Sequence, residues 1–393
     1  MDSHDVVVAF GYLLRHYPVI PRRARYLAMD IFDPFVLENL HMHDDLGLSD
    51  RTRVHQHDLD VTLEQLERAD FLFCASERQR DFWLGALMAA NRVNPYTFAQ
   101  DPTLRRLIEI VPFGLKDRPP RRSAPAIKGV VSGIDATDVV VLWGGGIWNW
   151  FDPLTAIRAV GKLKQERPAI KLFFMGVSHP NPEMPQMAMV GEAARLSDDL
   201  GLTDQQVFFN RGWIPYGERE NYLCDADIGV SLAFKEIETQ FSFRTRVLDY
   251  LWAGLPVVST GGDTLTDAAA AVGAGVNVPE GDVDALAEAL LQLARDPERR
   301  ARMASMSSTL SRQFTWGRVA KPLVAYCETP YRAADAGKSG LIYPRIDGRR
   351  AGLAVSDPRQ LPGVARRVAA VWRSEGFAGV TSRALRRLQR GRL

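Results

Sequence analysis

DADIGVSLAFKEIETQFSFRTRVLDYLWAGLPVVST, residues 225–260, has the pattern of one complete α/β unit. Apolar residues 228–234 predict a buried strand, and a polar loop with Lys235, Glu236 and Glu238 follows. The spacing predicts a helix from about Ser242, ended by Gly254 and Pro256, with a second strand starting at Pro256. In an open parallel sheet, ligands bind outside the carboxyl ends of the strands, where helices present free N–H groups. Here that position holds carboxylates and, one turn on, Arg244 and Arg246. Such a mixture suits a ligand bearing both hydroxyls and phosphates. It equally describes a solvated loop with surface ion pairs, so the stretch needs support from elsewhere in the chain.

Two other strand-end loops supply that support. A strand over 138–143 runs straight into Gly144, Gly145 and Gly146, and a helix follows from about Pro153. Glycines at such a turn let backbone N–H groups approach a phosphate. The spacing is neither G-x-G-x-x-G nor a P-loop. Trp148, Trp150 and Phe151 come next, and either flank a sugar or nucleotide ring or pack between domains. After a strand at 207–209, Trp213 and Ile214 form a loop suited to holding a planar base by its backbone. The loops 144–151, 211–216 and 235–246 thus converge on one predicted crevice.

The rest of the chain sets the frame. Its 393 residues exceed one ordinary domain, and strands alternate with helices throughout. The first half predicts strands at 6–10, 25–31, 70–75 and 107–111, with Val6–Phe10 reading as a middle strand. It also predicts helices over 61–69 and 77–90. Residues 116–137 are rich in proline and arginine and mark a boundary, with a short strand expected near Val130. A net charge of +2 argues against a nucleic-acid partner. Three isolated cysteines suggest a reducing compartment, and residues 1–5 do not resemble a signal peptide. His41, His43, His55 and His57 lack the spacing of a metal site. There is no H-E-x-x-H, no nucleophile–base pair as in hydrolases, and no Asp-x-Asp to hold a divalent metal beside a diphosphate. Residues 336–393 hold thirteen Lys or Arg against three Asp or Glu. Within them, Leu361–Trp372 and Val380–Leu388 have apolar and arginine positions at helical spacing, as in segments that lie on anionic membranes or in helices packed on the protein with a solvated basic face.

The second half resembles the nucleotide-sugar domain of GT-B glycosyltransferases. It is closest to the retaining glycosyl transferases group 1 type, which includes builders of bacterial surface polysaccharides. WGGGIWNWFDP at 143–153, RGWIPYGERENYLCDADIGVSL at 211–232 and ETQFSFRTRVLDYLWAGLPVVST at 238–260 carry the resemblance. In that family the second carboxylate of a Glu-x7-Glu motif binds the nucleotide ribose and the first touches the donor sugar. The resemblance implies the ribose role for Asp249. Phe241 stands where the first Glu is expected, and Glu238 is its nearest counterpart. The family's Arg/Lys pair has no plain match, which leaves Arg244 and Arg246, with Gly144–Gly146 and the helix start, for the diphosphate. Trp213 and Ile214 would hold the base, and Trp148 and Ser242 would line the donor. The first half resembles the acceptor domain more weakly, through YLAMDIFDPFVLENL (26–40), ADFLFCASERQRDFWLGAL (69–87) and VPFGL (111–115). It is short for the family, which implies a chain that begins late.

The implied fold is α/β, GT-B: two Rossmann-like domains with parallel sheets facing across a cleft, plus a basic extension. The expected division is an acceptor domain at 1–115, a linker at 116–137 and a nucleotide-sugar domain at 138–315. A crossover helix at 316–335 and the extension at 336–393 follow. The implied activity is retaining, metal-independent transfer of a sugar from a nucleotide diphospho-sugar to a glycan or lipid-linked acceptor, with no cofactor. Glu238, Arg244 and Arg246 would be the catalytic residues. The expected location is cytoplasmic, peripheral on the membrane through 336–393. A nucleotide-sugar epimerase and a non-catalytic sugar-nucleotide-binding partner are the alternatives.

Overall fold

β5 (Val139–Trp143) and β8 (Ile228–Ser231) lie side by side at the centre of a six-stranded parallel sheet. From β5 the sheet extends through β6 (Ile170–Phe174) to β7 (Val207–Phe209). From β8 it extends the other way through β9 (Val257–Ser259) to β10 (Gly275–Asn277). The strand order therefore reverses between β5 and β8, and a crevice opens at their carboxyl ends. The computed structural model describes residues 4–43, 46–167, 169–177 and 187–338. Beyond Lys338, the basic segment expected at 336–393 lies outside the described residues, as does most of the loop 176–185.

The near-continuous apolar strands are explained by burial on both faces. Val139, Val141 and Trp143 of β5 join one core cluster with Ile228 and Val230 of β8. Val140 and Leu142 point the opposite way, into a second cluster with Val247, Tyr250 and Leu251 of helix Thr245–Ala253. This two-residue alternation is the strand period, and helices cover both sides.

The first half holds a separate four-stranded parallel sheet of β1 (Val6–Phe10), β2 (Tyr26–Asp30), β3 (Phe71–Cys74) and β4 (Ile108–Ile110), in that order. Leu27, Met29, Leu72 and Ile108 fill one face, while Ala28, Phe71 and Phe73 pack on Tyr326 on the other. The sheet runs in one direction only, so β1 is an edge strand. This corrects the reading of Val6–Phe10 as a middle strand: Phe10 is 64% exposed despite its apolar sequence.

Several boundaries move. The strand expected over 228–234 ends at Ser231, and a separate helix, Ile237–Phe241, occupies the supposed polar loop. The next helix starts at Thr245 rather than Ser242, whose backbone is extended. Its end is as read: Gly254 adopts the left-handed conformation (φ 70°), and the Leu255 N–H reaches back to the Tyr250 carbonyl. The helix expected over 61–69 is a 21-residue helix, Leu48–Arg68. No strand forms near Val130. Residues 116–137 instead pack on the second sheet, with Ile127 and Ile134 in its core and Glu220 accepting hydrogen bonds from Arg118 and the Arg121 backbone. The chain then returns to the first sheet through helix Lys321–Glu328, where Tyr326 stacks on Phe71 at 4.6 Å.

Candidate active site

Arg246 sits in the first turn of helix Thr245–Ala253, whose start has no side-chain cap. Its guanidinium lies 4.0 Å from the centre of the Phe151 ring and 4.9 Å from that of Trp143. Nη2 donates to the Gly146 carbonyl at 2.7 Å, and Nη1 is buried without a hydrogen-bond partner. Only 8% of the residue is exposed. Burial, aided by the positive charge of Arg244, lowers its pKa to about 10. It still carries its charge at neutral pH. Among the described residues no carboxylate pairs with it, so a buried cation faces the glycine turn with part of its donor set unused.

Arg244 is also buried, but its situation differs. It forms a two-pronged ion pair with Glu238, Nη1 donating to Oε1 at 2.8 Å. Its other nitrogen contacts include Thr239 Oγ1 at 3.1 Å, while Nε has no partner. The same Phe151 ring lies 4.7 Å below it. Glu238 is 1% exposed, and burial pushes its carboxyl upward, against the pull of Arg244. Asp263 lies close enough to feel Arg244 and caps helix Thr264–Ala271 through the Leu265 and Thr266 N–H groups. Glu238 is thus a holder of Arg244, with both oxygens engaged. The unopposed cation is Arg246. Ser242 closes helix Ile237–Phe241, its hydroxyl donating to the Thr239 carbonyl.

The glycine turn is divided in use. Tyr250, one helical turn after Arg246, accepts a hydrogen bond from the Gly144 N–H at 2.6 Å. Its hydroxyl lies 2.9 Å from the Leu142 carbonyl and 3.0 Å from that of Val230. Gly144 is therefore buried and its donor spent, while Gly145 and Gly146 are half-exposed beside Arg246. Room for the phenol comes from Gly229, where a Cβ would stand 2.4 Å from the ring. Trp148 stacks on Trp150 at 5.3 Å, and Phe151 supports both arginines.

Asp249 faces Arg219, whose Nη1 donates to it at 2.9 Å. Arg219 also donates to the Tyr216 hydroxyl and lies 5.6 Å from the Trp252 ring centre. Burial raises the Asp249 carboxyl to about 6, and the arginine counters this. Trp213 is exposed and Ile214 half-buried on the adjoining loop.

The two halves touch around this floor. His41 pairs with Glu236, and the Asn149 amide donates to the His41 carbonyl. Gln79 donates to the Phe241 carbonyl, and Arg78 bonds the Gly262 carbonyl and Asp267. Glu38 lies in helix Phe35–Met42, which packs against helix Ile237–Phe241, and Asp33 lies just before that helix. Sequence reasoning did not single out these two, nor Tyr250, Arg219 and Asp263. The strand-end rule, applied to β2 as it was to β5, would have pointed to Asp33 and Glu38. Among the described residues, no group of three or more His, Cys, Asp or Glu side chains is placed to hold a metal ion. No helix among them is long and apolar enough to cross a membrane.

Residues 138–296 match the family model of glycosyl transferases group 1. That stretch is similar to glycosyltransferases of this group, and the two parallel sheets have the GT-B fold of the solved structures that follow. Among solved structures, the chain is similar to HepE of Anabaena in complex with UDP and glucose. The identity is 16% and the TM-score 0.59, over 82% of this chain and 78% of that one. It is similar to sucrose-phosphate synthase from Thermosynechococcus elongatus at 16% identity and TM-score 0.56, over 82% and 73% of the two chains. WaaG, a glycosyltransferase involved in lipopolysaccharide biosynthesis, gives 18% identity and TM-score 0.54, over 84% and 82%. HepE is also known in complex with UDP-glucose. No curated protein matches the sequence.

Proposed function

We propose that this chain transfers a sugar, with retention, from a nucleotide diphospho-sugar to a glycan or lipid-linked acceptor in surface polysaccharide synthesis. The carrying observation is Arg246: a buried guanidinium without a carboxylate, beside a glycine turn, at the point where the strand order reverses. A diphosphate supplies the missing negative charge. In the reaction the anomeric carbon–phosphate oxygen bond breaks, and negative charge grows on the departing diphosphate. Arg246 and the N-terminus of its helix stabilise that charge where it develops, so this reading needs no metal. Glu238 fixes Arg244 beside it. The Asp249–Arg219 pair offers acceptor and donor groups for ribose hydroxyls, and Trp213 with Ile214 adjoins the base. The UDP and UDP-glucose complexes of HepE support such a donor.

One observation favours a second reading. Epimerisation of a nucleotide sugar needs acid and base groups in the cleft, and the neighbouring carboxyls of Asp33 and Glu38 are candidates for them. Epimerised sugar formed without any acceptor would select that chemistry.

Calorimetry of the full chain against UDP-, GDP- and dTDP-sugars tests the proposal. Binding of one of them is expected, and Asp249→Ala should lose it. Unchanged affinity in Asp249→Ala would move the ribose elsewhere, and no binding by wild type would remove the proposal.

A further inference from the structure

β5 and β8 pair through Val141↔Ile228 and Leu142↔Gly229 and then part. Neither strand ends there. β5 stays paired with β6 as far as Trp143↔Phe174, and β8 with β9 as far as Ser231↔Ser259. One more step in the same register would set Trp143 opposite Val230. The Tyr250 hydroxyl stands at that step instead, within hydrogen-bond distance of the Leu142 and Val230 carbonyls and of the Gly144 N–H. Its single proton goes to one carbonyl at a time, and an oxygen lone pair accepts the N–H. Buried backbone groups must be paired, and here one phenol serves those of two strands where their ladder stops.

Two glycines make room for the ring. A Cβ on Gly229 of β8 would stand 2.4 Å from it, and one on Gly144, just after β5, 2.9 Å. Tyr250 is completely buried, in the core cluster that joins Val140 and Leu142 of β5 to Val247 and Leu251 of its own helix. The same helix carries Arg246 one turn earlier and Asp249 one residue earlier. A single side chain thus sets the gap between the strand ends, the first glycine of the turn and the helix that presents Arg246.

We propose that Tyr250 is a positioning residue for the donor diphosphate, a wedge that parts β5 from β8 and holds the glycine turn against Arg246. The inference rests on the donor reading given above. Without the hydroxyl the turn loses its fixed point. Only a fraction of the free protein then presents the turn in the binding geometry, and the apparent affinity falls by that fraction.

The full chain is titrated by calorimetry with UDP, GDP, dTDP and ADP, and the diphosphate that binds is compared with its monophosphate. Tyr250→Phe keeps the ring and removes the hydroxyl. It should weaken the diphosphate about tenfold and the monophosphate about threefold or less, because the second phosphate adds contacts made by the turn. Equal weakening of both, or of neither, would make Tyr250 a residue of the core alone and overturn the proposal. Backbone hydrogen exchange of wild type tests the wedge without any variant. The Gly144 amide should exchange at least about 100-fold more slowly than an unstructured glycine amide. Exchange at the unstructured rate would overturn the proposal too. Failure of wild type to bind any nucleoside diphosphate would instead sink the donor reading, whatever the exchange rate.

Discussion

Replacing Arg246 by methionine is expected to weaken nucleoside diphosphate binding about 100-fold, or close to 2.8 kcal/mol, while leaving the free protein as stable as wild type or more so. The two effects have one cause. In the unliganded protein the guanidinium is desolvated and has no counter-charge, with Nη1 making no hydrogen bond. Desolvating a charge without an ion partner is unfavourable, so an apolar side chain of similar shape should be neutral or stabilising by about 1 kcal/mol. With a diphosphate bound, the same group makes charge-assisted hydrogen bonds in a site sheltered from water, and its loss is costly. Calorimetry and thermal unfolding on one preparation read both quantities. A variant that is less stable yet binds normally would mean that Arg246 is a structural residue and that the anion site lies elsewhere.

Replacing Asp335 by alanine should destabilise the protein by about 3–5 kcal/mol, the typical cost of stranding a buried partner charge. Asp335 accepts from Arg92 Nε at 2.9 Å, from Arg92 Nη2 at 3.2 Å and from Asn94 Nδ2 at 2.9 Å. Both members of the ion pair are buried. Arg92 also bonds the carbonyls of Leu66 and Ala69, so it cannot swing out to water without breaking these links. Asp335 therefore fixes the returning C-terminal stretch to the first sheet. Urea unfolding measures the loss, and Asp335→Asn should recover part of it because hydrogen bonds survive without the charge. A change under about 1 kcal/mol would show that Arg92 finds another outlet.

The second sheet was legible in the chain because its strands are apolar, short and bounded by glycine and proline. β5, β7 and β9 fall within one or two residues of where the pattern places them. Leu48–Arg68 was read only at its end, since its first two turns are polar and carry no apolar stripe. Helix Ile237–Phe241 was missed for a related reason. It is too short to declare a period, and its charged residues resemble a loop. At the site, Arg244 and Arg246 look alike in sequence, two residues apart near a helix start. Only the fold divides them, giving Glu238 to Arg244 and nothing acidic to Arg246. Tyr250 reads as core and is core, but its hydroxyl also takes the Gly144 N–H that the glycine pattern had reserved for phosphate. The Gly144–Tyr250 bond joins residues 106 apart in the chain, a separation that local spacing does not encode.

Diffraction from crystals of this chain grown with a nucleoside diphosphate is the most direct test of the central claim. The diphosphate is expected at the carboxyl ends of β5 and β8, contacted by Arg246 Nη1 and the backbone of Gly145 and Gly146, with the ribose beside Asp249. A nucleotide seated elsewhere, or one held in this crevice with Arg246 turned away from it, would rule out Arg246 as the diphosphate anchor.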